Sequence, residues 1–217
     1  MLQALCQRQN HLYHWEQAIA ALQTQEPSQD LLLAYRSAAK WSRIGFDRQR
    51  QLQYLQAAID IAEELGNTIE RLDLMAIKAN TLLNIGYAQQ AETELTLCVQ
   101  QAIQVNYHLL VVAEGTILCG LWMRQGQLER VASLCLNIEE SAISRCNWIA
   151  LATGRMMRAS CWMIQKSPKQ AIALLFETGN YLYQQGAVVA LNLIKARLGE
   201  FQLLIGIDKF EEIRQNL

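Results

Sequence analysis

The chain of 217 residues carries 19 lysines and arginines against 20 aspartates and glutamates, for a formal charge of -1, and is 52% hydrophobic with only two prolines. Near-neutral charge argues against nucleic acid as the main partner, because such binders use a basic excess to displace counterions from phosphates, and the lack of long polar or low-complexity tracts argues against disorder. No apolar run approaches the roughly 18 to 20 residues of a membrane-spanning helix, and the opening MLQALCQRQNHLYHWEQ interrupts its apolar residues with Gln, Arg and His, unlike a secretory leader, so a cytoplasmic protein without a membrane partner is expected.

In chain order, Trp15-Glu16-Gln17-Ala18-Ile19 reads as part of a helix closed by Glu26-Pro27-Ser28-Gln29-Asp30, which gives a partial repeat over 1–25. Beyond it one pattern recurs. A large apolar residue stands at Trp41, Leu82, Trp122 and Trp162, at intervals of 41, 40 and 40. Three residues before it comes a small residue, at Ala38, Ala79, Cys119 and Ala159, which lets helices approach closely. Four residues after it comes a turn position, at Gly45, Gly86, Gly126 and Lys166, and glycine suits such a corner because it accepts positive φ. A second junction follows at Gly66-Asn67, Val105-Asn106, Cys146-Asn147 and Gln185-Gly186.

Between these corners the apolar residues keep helical spacing, as in Tyr54, Ala57, Ala58, Ile61, Ala62 and Leu65, or Leu95, Cys98, Val99, Ala102 and Val105. Each unit therefore reads as helix A, corner, helix B, corner. The expected pairs are 28–44 with 47–65, 68–84 with 88–105, 107–125 with 127–144, 147–165 with 168–184, and 187–204 with 207–216. The corresponding repeats are 28–66, 67–105, 106–146, 147–185 and 186–217, forming one all-α solenoid domain over 1–217. A single hairpin cannot bury its apolar faces alone, so neighbours must stack.

Residues with chemical potential have a plainer reading beside the sharp one. His11 and His14 are spaced i, i+3 with Cys6 nearby, but a metal site needs three or four ligands, so an exposed helix entry is expected and no metal. His108 has no partner that sequence identifies. Gly115 and Gly120 imitate the spacing of a phosphate loop without its Lys-Ser or Lys-Thr, and read as helix-packing glycines. Glu63-Glu64 and Glu139-Glu140 are sequence neighbours that point apart on a helix. Cys6, Cys98, Cys119, Cys135, Cys146 and Cys161 form no CxxC pair and are expected to be free, buried thiols. The tryptophans are read as inter-helix core. No nucleophile-base pair emerges, so neither an enzyme nor a cofactor is expected.

The repeat columns resemble those of the tetratricopeptide repeat family. Ala79, Leu82, Gly86 and Ala91 match one unit, with Leu82 in place of the aromatic, and Cys119, Trp122 and Gly126 match the next, where Val131 replaces an alanine. Ala159, Trp162 and Ala171 match a third unit that departs at Lys166, and Ala38, Trp41 and Gly45 match the first, which departs at Arg50. The 40-residue period is similar to the longer variety found in regulators of the maltose-activator type and in bacterial signalling scaffolds.

The resemblance implies a right-handed solenoid of about five repeats plus the partial one, with a concave face lined by helix A. In this chain the groove positions fall on Tyr35, Arg43, Asp73, Asn80, Asn84, Thr116, Arg124, Ser160 and Glu200. It further implies a scaffold or adaptor that binds a peptide or helix of a partner protein, or alternatively a regulatory module that senses a ligand or signalling peptide. The end of the last repeat, over 207–217, is open to acting as a cap or as a docking edge for a second copy of the chain.

Overall fold

The computed structural model describes the backbone of residues 2–217 and the side chains of residues 11–217. Among these residues the secondary structure is eleven α-helices and no strand. They are α1 (Leu2–Leu22), α2 (Gln29–Ile44), α3 (Arg48–Glu64), α4 (Thr68–Asn84), α5 (Ala88–Gln104) and α6 (His108–Arg124). There follow α7 (Leu128–Ser144), α8 (Trp148–Ile164), α9 (Pro168–Gln184), α10 (Val188–Ile205) and α11 (Ile207–Gln215). The chain divides into two compact units, one up to Ala102 and one from Ile103 to Leu217.

The corners set the geometry. Positive φ occurs at Phe46, Gly66, Gly86, Asn106, Gly126, Cys146, Lys166, Gly186 and Gly206, one residue in every 20. The N–H groups of Asp47, Asn67, Tyr87, Gln127, Asn147, Ser167 and Ala187 each donate to the carbonyl five residues back, at 2.8–3.0 Å. This is the Schellman closure, which satisfies the orphan carbonyls of one helix through a left-handed residue. The residue donating that bond also begins the next helix. Asp47, Asn67 and Asn147 accept the N–H of Arg50, Glu70 and Ala150 through their side chains, at 3.0–3.3 Å, the usual service of an N-cap. Corner and cap thus share three residues, and α3 through α9 are each 17 residues long.

This spacing corrects the register of the first repeat by one residue. Gly45 has φ -77 and closes α2 in a right-handed conformation, while Phe46 takes the left-handed corner at φ 62. The equivalents of Ala79, Leu82 and Ala91 are therefore Ala39, Ser42 and Gln51, all buried, rather than Ala38, Trp41 and Arg50. Trp41 is half-buried and stacks on His11 of α1, with ring centroids 4.5 Å apart. Trp41 has the size expected of the core column but sits beside it, facing α1.

In the first unit, Ile19 of α1 packs on Ala34 and Ala38 of α2, with Trp15, Tyr35 and Tyr54 around them. Leu55, Ala58 and Ala62 of α3 and Leu72, Leu74 and Ala79 of α4 are almost fully buried. Alanines at these positions remove the bulk that would hold the helices apart. The second unit has a continuous core that includes Leu151, Ile172, Leu175, Leu182, Ile194 and Phe201.

Of the large-residue column, Leu82 and Trp122 are buried, while Trp162 is half-buried with the Arg158 guanidinium 5.6 Å from its ring centroid. Gly115 packs on Ile138 as a helix-packing glycine should, but a Cβ at Gly120 would meet nothing within 4 Å. Cys98, Cys119, Cys135 and Cys161 are buried and form no disulfide. Cys146 differs from expectation, being exposed because it occupies a left-handed corner rather than a helix face. Cys6 lies outside the described side chains.

Candidate binding site

Within the first unit, α2 and α4 stand apart over α3 and leave an open cleft of about 420 Å³. Its apolar surface comes from Leu33 of α2, Leu55 of α3, and Leu74 and Ile77 of α4. Leu33 and Ile77 are themselves exposed, at 49% and 44%. The α2 wall carries Arg36, Lys40 and Arg43, spaced i, i+4 and i+7, so that one helix face presents three cations.

Beneath them Gln51 is buried at 1% exposure. A polar side chain there requires partners, and it has them. Its amide nitrogen donates to Thr81 Oγ1 at 3.0 Å, its amide oxygen accepts from Arg48 at 2.9 Å, and Thr81 passes its own hydroxyl proton to the Ile77 carbonyl at 2.8 Å. The floor is thereby fixed in place and polar-satisfied without any visitor.

The wall cations differ in their pairing. Arg36 meets Glu70 of α4 at 2.7 Å. Lys40 is exposed and Arg43 is exposed, and among the described residues no carboxylate pairs with either. Elsewhere in this unit Arg50 pairs with Glu16 and Asp47, Arg71 with Glu63, and Lys78 with Glu94. The Tyr54 hydroxyl donates to the same Glu16 at 2.6 Å. Burial first, and then this bond to a carboxylate, pushes the Tyr54 phenol up to about 12.

The positions implied by the family resemblance distribute unevenly. Arg43 lines the cleft. Tyr35 turns the other way, into the α1–α3 packing, with its ring 6.4 Å from that of Tyr54. Asp73 and Asn80 are half-buried on α4 and Asn84 is exposed at its end. In the second unit the Thr116 and Ser160 hydroxyls donate to the carbonyls of Val112 and Met156 in their own helices, at 2.6 and 2.8 Å. Arg124 donates to the Gly120 carbonyl at 3.2 Å, and Glu200 accepts from Arg197 at 2.6 Å. Arg36, Lys40 and Gln51 were not singled out in the sequence, although the first two share the helical face of Arg43.

The second unit contains a buried ionic cluster. Glu139 of α7, with only 8% of its side chain exposed, meets Arg155 and Arg158 of α8, both at 3.3 Å. Arg155 continues to Glu177 and to the Thr178 hydroxyl of α9. Burial pushes the Glu139 carboxyl above the usual carboxylate range, against the pull of Arg158 and Arg155. This arrangement ties three helices together. His108 bonds to the Ser141 hydroxyl at 3.1 Å, and among the described residues no group of three His, Cys, Asp or Glu is placed to hold a metal ion. No helix among them is long and apolar enough to cross a membrane.

Paired helices, α3 through α9 of one length and joined by three-residue corners with small residues at the crossings, define an all-α solenoid of the tetratricopeptide-like class. Solved structures bear this out. A Podosopora anserina chain described as a kinesin light chain with nearly identical TPR-like repeats aligns at TM-score 0.56, with 15% identity over 92% of this chain and 91% of its own. A Q17M form of such a chain aligns at 0.55, with 15% identity over 85% and 91%. BtubC (BKLC) from P. vanneervenii aligns at 0.60, with 11% identity over 97% and 89%. At these identities the likeness is one of fold. The sequence matches no family model and no curated protein.

Proposed function

We propose that the protein is an interaction module, a scaffold or adaptor that binds a peptide or helix of a partner protein on the helix A face. The observation that carries this reading is the cleft between α2 and α4, open to solvent, apolar at its base and polar at its rim. That combination is what a recognised side chain needs, and a fold built from stacked hairpins offers such surfaces between successive A helices. The resembled groove positions on α6, α8 and α10 extend the same kind of face within the second unit. A cytoplasmic setting, in a signalling assembly of the kind that uses 40-residue repeats, fits this role.

The test is selection of displayed peptides on the full chain, followed by affinity measurement on the native protein and on Ile77→Asp. Ile77 is exposed and lines the cleft, so the variant should fold normally while losing at least tenfold in affinity. Selected peptides that bind the variant equally well would reject this cleft. If no peptide is selected, the competing role expected for maltose-activator-type relatives, sensing of a small effector, is taken up by thermal-shift screening, and a stabilising effector would replace the scaffold reading.

A further inference from the structure

We infer that a second copy of this chain docks on the side of α10 in the second unit, the two copies related by a two-fold axis and each setting its Glu212 against Lys195 of the other. The surface is separate from the cleft of the first unit.

Its basis is how the hairpins of the second unit cover one another. α8 packs on α6 and α7, and α10 packs on α8 and α9. The sides of α6 and α8 turned toward the helices that follow them are closed, with Val111, Cys119, Leu151 and Ala159 all at 1% exposure or less. In the same columns α10 carries Leu191 and Gly199, and both are only half-buried. The cause is the length of α11. It has nine residues where α7 and α9 have 17, and it is anchored by Phe210, its buried residue. Nine helical residues rise about 14 Å, so α11 covers about half of α10, whose 18 residues rise about 27 Å. Val188 and Lys195 are left exposed in the other half, and Leu203 at the corner is 83% exposed. A solenoid side that faces water needs polar residues, yet Val188, Leu191, Leu198 and Leu203 lie along this one.

The glycine in that stripe calls for a close neighbour. Glycine inside a helix is less stable than alanine, and at other helical glycines of this unit a contact accounts for it. A Cβ would stand 3.3 Å from Ile138 at Gly115, 3.3 Å from Glu139 at Gly154 and 3.7 Å from Ile194 at Gly179, while the Gly120 carbonyl accepts from Arg124. A Cβ at Gly199 would meet nothing within 4 Å, so no described helix makes use of it. What matches an uncovered hairpin side is another of the same kind, and a second copy presents one. Two α10 helices packed antiparallel about a two-fold, the commonest symmetry of oligomers, set Val188 of each copy toward Leu203 of the other.

Charge completes the match. That packing brings Lys195 of both copies near the axis, where each ammonium requires an acid. Its counterpart on α8, Arg155, is met by Glu139 and Glu177, but among the described residues no carboxylate pairs with Lys195. Glu212 of α11 is exposed and equally unpaired, whereas Arg197 holds Glu200 and Arg214 holds Glu211. Asp208 lies in the first turn of α11, where the helix dipole favours it. Since α11 folds back along the second half of its own α10, the antiparallel arrangement carries Glu212 over the first half of the other copy, beside Lys195.

The experiment is sedimentation equilibrium of the full chain from about 1 to about 100 μM, a range that resolves micromolar association. A species of twice 24.7 kDa should form. Gly199→Leu should weaken it by about tenfold or more. The same variant, melted at the lowest concentration, should be as stable as the native chain or more so, because leucine favours a helix and has open space there. Lys195→Glu should also weaken the dimer, and adding Glu212→Lys to it should restore most of the affinity. A single-copy mass across the whole range would overturn the inference, as would a dimer indifferent to Gly199→Leu. A dimer that the charge exchange does not rescue would overturn the pairing of Lys195 with Glu212. Leu203→Asp, at a position already open to solvent, takes the place of Gly199→Leu if that change disturbs α10, with the same loss expected.

Discussion

Two glycines that occupy one column in the sequence should respond oppositely to the same substitution. Gly45 has φ -77, and a Cβ there would meet only the Trp41 and Ser42 carbonyls, at 3.5 and 3.6 Å, which is ordinary contact. Gly45→Ala should therefore stabilise the protein by about 0.4–1 kcal/mol, because alanine loses less conformational freedom on folding. Gly86 has φ +90 with open space around it. Gly86→Ala should cost about 1–2 kcal/mol, the strain of a Cβ in the left-handed region, although nothing touches it. Phe46 holds the equivalent corner at φ 62 and is 79% exposed, so Phe46→Gly should gain about 1 kcal/mol when released strain is set against glycine's larger unfolded-state freedom. Urea unfolding of the three variants reads these differences, which correspond to about 2–4 °C per kcal/mol in a chain of this size. Loss of stability in Gly45→Ala, or none in Gly86→Ala, would refute the corner assignment.

Other outcomes follow from the cores and the buried polar groups. Trp122→Ala should cost about 3–5 kcal/mol in urea unfolding, since the ring is buried and also loses the Arg130 guanidinium 3.9 Å from its centroid. Tyr54→Phe should cost about 1 kcal/mol near neutrality. Because the folded phenol is held up at about 12 against an ordinary 10.0, the protonated form favours folding, so its contribution is complete below pH 10 and is lost as pH rises from 10 through 12; the gap between native and Tyr54→Phe stabilities should close across that window. Native-state alkylation mapped by mass spectrometry should modify Cys146 well before Cys98, Cys119, Cys135 and Cys161, which should react only on unfolding.

The fold was legible because helix corners leave chemical marks that recur. Gly86, Gly126 and the Ser167-Pro168 junction located helix ends close to those observed, and the small residues Ala79, Cys119 and Ala159 sit at fully buried crossings. The first repeat was misaligned because its core columns hold Ser42 and Gln51, polar residues that hide burial, and because Phe46 adopts a conformation that only its neighbours reveal. Gln51 becomes intelligible once Thr81 and Arg48 are beside it. The cleft was half visible. Arg36, Lys40 and Arg43 already shared a helical face in the sequence, but which cations lack an internal acid depends on partners far along the chain, such as Glu70 for Arg36. Tyr35 was assigned outward on register, and its place against Tyr54 depends on α1, whose packing no repeat column encodes.

The corner rhythm described above constrains how this chain can change. A residue inserted within a 17-residue helix would rotate everything after it by about 100°, carrying buried positions to the surface. A substitution disturbs one contact, but a change of length would disturb the phase of the whole remaining hairpin. Tolerance should accordingly be lopsided: identities can differ between equivalent positions, as Ser42, Val131 and Lys166 differ from their counterparts in other repeats, while lengths stay locked from one left-handed residue to the next. Grafting or removing material without loss of phase then means cutting at equivalent corners, in whole hairpins, so that any surface added by lengthening the array arrives already oriented.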